Sequence, residues 1–96
     1  MLHRGMIRSF KHKGLKELFR DGTSAKVAAS LQERALAILD ALDAATRPED
    51  MNVPGWDFHG LLGKPKRFTT HVNGPWCITF EFEESDALRV DLTQYH

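Results

Sequence analysis

The chain has 96 residues, 42% of them hydrophobic, and a formal net charge of zero. That length fits one domain with a modest core and leaves little room for a second, and no apolar run approaches the ~20 residues that cross a bilayer. The lone cysteine, Cys77, excludes an internal disulfide and a cysteine-rich zinc site; the opening residues are too short and polar for a secretory signal, so a cytoplasmic protein without a membrane partner is expected.

Charge is unevenly spread. Arg4, Arg8, Lys11, Lys13, Lys16 and Arg20 crowd the start of the chain with only Glu17 opposing them, whereas Glu81, Glu83, Glu84 and Asp86 form an acidic run near the end. A basic cluster of this kind suits phosphate or a solvated face equally well. The acidic run argues against a protein that coats nucleic acid uniformly.

In chain order, Met6-Ile7-Arg8-Ser9-Phe10 alternates as a short strand does. Leu15, Leu18 and Phe19 have the spacing of one or two helical turns, and Asp21-Gly22 reads as a turn. Thr23 or Ser24 can cap a long helix that spans about 24–46. Leu31, Ala35, Ile38, Leu42 and Ala45 form its apolar stripe. Pro48 disfavours helical geometry at Arg47 and ends the helix there; Pro48-Glu49-Asp50-Met51 suits one further turn, with proline at its first position.

After Pro54-Gly55 the pattern becomes β. Trp56 to His59 alternates, Lys64-Pro65 reads as a loop, and Phe68, Thr70 and Val72 alternate with Thr69 and His71. Asn73-Gly74 is the strongest hairpin signal. The return strand places Trp76, Ile78, Phe80 and Phe82 on one face and Cys77, Thr79 and Glu81 on the other; Glu84-Ser85-Asp86 turns into a last strand of Leu88, Val90 and Leu92. The class is α+β: strand, two helices, then three or four antiparallel strands whose apolar face the helical stripe covers. The opposite face, with His71, Cys77, Thr79, Glu81, Arg89 and Asp91, is left for water or a ligand.

Several segments resemble one family. Residues 6–16, the segment Leu39 to Thr46, Pro48-Glu49-Asp50-Met51-Asn52, Val72-Asn73-Gly74-Pro75-Trp76-Cys77-Ile78-Thr79-Phe80 and the terminal Tyr95-His96 are similar, in that order, to the HigB branch of the RelE-like toxins. The resemblance covers residues 6–96 and sets residues 1–5 apart as an N-terminal extension. It implies a compact RelE-like fold, ribosome-dependent cleavage of messenger RNA and a HigA-like helix-turn-helix antitoxin, with operator DNA contacted only through that antitoxin.

RNA cleavage without a metal uses the 2′-hydroxyl as nucleophile, and needs a base, an acid and cations around the phosphate. Histidine suits both proton transfers. The resemblance assigns them to His59 and His96, their division left open, with Tyr95 beside them. Lys64, Lys66, Arg67, His71, Cys77 and Gln94 are the candidate RNA contacts. No histidine pair has metal-ligand spacing, so neither metal nor other cofactor is expected.

Four positions depart from the family pattern. Cys77 stands where the family has arginine, Gln94 where an aspartate often precedes the final Tyr-His, and Leu62 where lysine is common; Glu81 adds negative charge. Each change lowers positive potential or removes a proton-handling group. Two further readings therefore stand beside an active nuclease: a catalytically weakened module that binds antitoxin and regulates its operon, and a gyrase poison like the ParE relatives.

Overall fold

The computed structural model describes residues 5–94. Two helices, α1 (Lys13–Asp21) and α2 (Ala29–Ala44), and a 3-10 turn (Pro48–Met51) precede four strands: β1 (His59–Leu61), β2 (Arg67–Asn73), β3 (Trp76–Glu83) and β4 (Asp86–Gln94). The strands form one antiparallel sheet in the order β1-β2-β3-β4, each paired with its sequence neighbour. This is the α+β arrangement expected, with the RelE-like order of elements.

The helical stripe does cover the apolar sheet face. Leu31, Ala35, Ile38, Leu42 and Ala45 are all buried, together with Leu15 and Leu18 of α1 and Val72, Ile78, Phe80 and Val90 of the sheet. An aromatic row crosses this face. Phe58 stacks on Phe68 and Phe68 on Phe80, with 5.8 Å between centroids in both pairs, and Phe80 meets Phe82 edge-on at 6.1 Å. Such contacts hold neighbouring strands in register.

Local details differ from the sequence expectations in physically readable ways. The segment Met6 to Phe10 is not a full strand: it makes isolated parallel bridges, Ile7 to Ala87 and Phe10 to Val90, along the outer edge of β4. Helix α2 begins at Ala29 rather than near Ser24. The hydroxyl of Ser24 accepts from the Lys26 backbone N–H at 3.1 Å and donates to Glu17 at 3.0 Å, so it caps a separate turn. The amide of Gln32 then donates to the Ser24 and Val27 carbonyls, both at 2.9 Å, which ties that turn to α2. His12 is the N-cap of α1: its Nδ1 accepts from the Leu15 N–H at 3.1 Å. Around Asn73-Gly74 the tip lies one residue later, because Asn73 still pairs with Trp76 and Val72 makes a bulge.

Two more irregularities shape the polar face. β4 carries an extra residue opposite β3 between Thr79 and Glu81, where Arg89 has φ 50° and its Nη1 meets Glu81 at 2.9 Å. At the other edge, His59 pairs with Thr69, yet the His71 N–H donates to the Trp56 carbonyl at 2.7 Å. One residue more is spent on the first segment than on β2, and Asp57 (φ 47°) absorbs it. Bulges of this kind bend a strand and re-aim its side chains.

Candidate active site

Side chains of paired residues in an antiparallel sheet share a face. His59, Thr69, Thr79 and Asp91 therefore form one row across the face away from the helices, and His71, Cys77 and Thr93 the next. A cleft of about 340 Å³ opens at the β1–β2–β3 side of these rows. His59, His71 and Cys77 line it, Thr69 and Leu61 complete its floor and wall, and Asp57 and Gly74 close its ends.

Each imidazole is oriented by a backbone carbonyl. His59 Nδ1 lies 2.9 Å from the Asp57 carbonyl oxygen, and His71 Nε2 lies 2.8 Å from that of Gly74. A carbonyl oxygen only accepts, so the ring nitrogen facing it carries the proton. In the neutral rings the bare nitrogens are then Nε2 of His59 and Nδ1 of His71. The bulge at Asp57 and the tip at Gly74 thus set tautomers as well as backbone paths.

The floor is unusual. Thr69 is only 2% exposed, and its Oγ1 has no hydrogen-bond partner among the described residues; the same holds for Oγ1 of Thr93, which pairs across from Cys77. Cys77 itself is a half-buried free thiol. Thr69 and Asp57 were not singled out from the sequence. Thr69 shares the alternation phase of His71, and that parity was the available signal; no sequence pattern announced the bulge that brings Asp57 in.

The candidate cations are dispersed. Arg67 pairs with Leu61 and so shares the cleft face; it is exposed. Lys66 is held on the other side, its Nζ donating to the Leu61 carbonyl at 3.2 Å and sitting 5.8 Å from the centre of the Phe68 ring. Lys64 is exposed in the connecting loop, and the neighbouring Leu62 is fully so. Gln94 pairs with Trp76, one step out of phase with the row that holds Cys77. Arg89 is engaged by Glu81, whose side chain is 12% exposed. Tyr95 and His96 lie outside the described residues. Among the described residues there is no cluster of three or more potential metal ligands, and no helix is long and apolar enough to cross a membrane.

Over 92 residues, 95% of this chain and the whole of the relative, the sequence is 38% identical to a protein named Endoribonuclease HigB from Proteus vulgaris. Residues 8–96 match the HigB-like toxin family, described as the RelE-like toxin of the type II toxin–antitoxin system HigB. The chain therefore belongs to the HigB-like toxins of type II toxin–antitoxin systems, a membership that implies an antitoxin partner.

Proposed function

We propose that this toxin is a metal-independent endoribonuclease that cuts messenger RNA on the ribosome, with His59 as one of its proton-transfer groups. The observation that carries the reading is the carbonyl-fixed imidazole of His59, whose bare Nε2 is available at a cleft shared with His71. Such a nitrogen can take the 2′-hydroxyl proton and begin in-line attack on the adjacent phosphate. His96 supplies the second proton transfer and Tyr95 steadies the substrate beside it. Arg67, on the cleft face, and Lys64, in the loop, meet phosphate; Lys66 braces the loop against Phe68 and shifts only if RNA displaces it. His71 and Cys77 line the substrate's path, and Gln94, one step out of phase with them beside Trp76, stands outside it. The name of the Proteus vulgaris relative, Endoribonuclease HigB, supports RNA cleavage as the activity.

The antitoxin partner is proposed to be a HigA-like helix-turn-helix protein that carries the complex to operator DNA, both acting in the cytoplasm. A weakened catalyst is the second reading, and one observation favours it: the cleft row that begins with His71 carries Cys77 in place of a guanidinium, while Arg89 is tied to Glu81.

The deciding experiment is cleavage of ribosome-bound message by purified protein, with His59→Asn as the key variant. Asparagine can still donate to the Asp57 carbonyl but has no bare ring nitrogen, so the fold is kept. Cleavage is expected to fall by about a hundredfold or more. Wild-type protein that leaves ribosome-bound message intact, or His59→Asn with an unchanged rate, would refute the assignment.

A further inference from the structure

Cys77 has no part in the proton transfers above, because a thiol in this position neither replaces a guanidinium nor is needed beside two imidazoles. It nevertheless lies in the cleft wall, half-buried and free, directly across the strand pair from His71. Beside it on the floor, Thr69 holds a hydroxyl that is buried and has no hydrogen-bond partner among the described residues. A buried hydroxyl is normally satisfied, so the cleft offers one donor and one acceptor to an occupant. At about 340 Å³ it is of the size that holds small organic ligands.

We propose that Cys77 is a covalent modification site for a low-molecular-weight thiol carrying amide and carboxylate groups, delivered as its disulfide, and that the adduct fills the cleft. The second part rests on reading the cleft as the RNA site. In the reaction the Cys77 thiol loses its proton, and the thiolate attacks one sulfur of the small disulfide. A new Sγ–S bond forms, the old S–S bond breaks, and the other half leaves as a thiolate that takes up a proton. Cys77 is oxidised and the released half is reduced, so no further oxidant is required. An amide or carboxylate of the attached group meets the Thr69 hydroxyl, and RNA is excluded while the bond lasts. Thiol reduction restores the open cleft.

With one cysteine in the chain, intact mass alone locates the adduct. The full-length protein is incubated with glutathione disulfide, folded and in urea, and followed by mass; RNA binding and ribosome-bound cleavage are read on the same samples. The folded protein is expected to gain one glutathionyl group, to lose binding and cleavage in proportion to the fraction modified, and to regain both with dithiothreitol. Thr69→Val is expected to slow the folded-state reaction while leaving the rate in urea unchanged. A folded protein that stays unmodified while the urea sample is converted overturns the site. An adduct that leaves RNA binding and cleavage intact overturns the exclusion, and an unchanged folded-state rate in Thr69→Val removes the hydroxyl from it. If untreated protein neither binds nor cuts RNA, the nuclease reading falls on that result, and the mass measurement still decides the modification site.

Discussion

Arg67 and Cys77 occupy opposite flanks of the same face, and only Arg67 carries a permanent charge that no neighbouring carboxylate claims among the hydrogen bonds and ion pairs of the described residues. Placed on β2 two positions before Thr69, it is the guanidinium best placed to serve where the family's usual arginine is missing. Arg67→Ala is expected to lower cleavage by roughly a hundredfold, the cost of losing one preorganised charge contact. Arg67→Lys should recover only part of it, because an ammonium lacks the planar fork. Single-turnover cleavage of ribosome-bound message measures both, and a wild-type rate in Arg67→Ala would hand the role to Lys64. Strand alternation placed His71, Cys77, Thr79 and Asp91 on one face before any coordinates, since parity is a local property of sequence; that His59 joins them rests on the β1–β2 register, which is not local. It left Lys66 ambiguous: its position is settled by contacts with Phe68 and the Leu61 carbonyl, which no periodicity encodes. His12 escaped for another reason, because the usual N-cap signal is a short hydroxyl, amide or carboxylate side chain and an imidazole does the same work here.

The short edge element β1 contributes three residues, too few to hold His59 by backbone pairing alone. Its anchor is Phe58, stacked on Phe68 and through it on Phe80. Phe58→Ala is expected to cost about 2 kcal/mol, less than the full-burial value because the ring is only half covered. Amide exchange should quicken in β1 and the Asp57 bulge more than in β3 and β4. Equal quickening in all strands would show that the row acts globally and does not pin the edge. A second element carries a charge-dependent cap. The Asp50 carboxylate accepts from the Thr46 backbone N–H at 3.0 Å and is approached by Arg47 Nε at 3.4 Å; the Thr46 bond chiefly, and Arg47 with it, lower its pKa below 3.8. A depressed carboxylate pKa stabilises the fold above the unfolded value and loses that contribution as pH falls through the folded one. Wild type should therefore exceed Asp50→Asn in stability near neutrality, and the difference in denaturation midpoint should shrink as pH falls below the ordinary aspartate range. A gap constant with pH would mean that the carboxylate's charge is irrelevant to the turn. The turn itself was legible from Pro48, whereas the displaced start of α2 was not, because Ser24 and Gln32 satisfy their hydrogen bonds with each other's neighbourhoods.

At the scale of the whole molecule, the two chain halves are closed on each other by the first described residues. The Ile7 N–H donates to the Asp43 carboxylate at 3.0 Å, and Arg8 meets Asp86 at 2.9 Å and Glu83 at 3.0 Å, so the N-terminal segment ties the end of α2 to the β3–β4 hairpin. None of this could be read from local pattern, since the partners lie 36 to 78 positions apart. Gly5, which sequence similarity grouped with an extension, sits buried at this junction: a Cβ there would lie 2.2 Å from the Ala45 carbonyl oxygen and 2.5 Å from that of Ser85. Both neighbours are backbone and cannot swing aside, so Gly5→Ala must push the segment off α2 or the hairpin. The expected cost is about 3 kcal/mol, at the upper end of overpacking effects. Gly60 provides the contrast. A Cβ there meets the Lys66 side chain at 2.7 and 2.9 Å, the far end of a flexible residue, so Gly60→Ala should cost less than about 1 kcal/mol despite nearly as short a contact. Denaturant midpoints of the two variants, measured side by side, test whether the rigidity of the obstructing atoms sets the penalty; equal losses would mean that the N-terminal closure contributes no more to stability than a surface side chain.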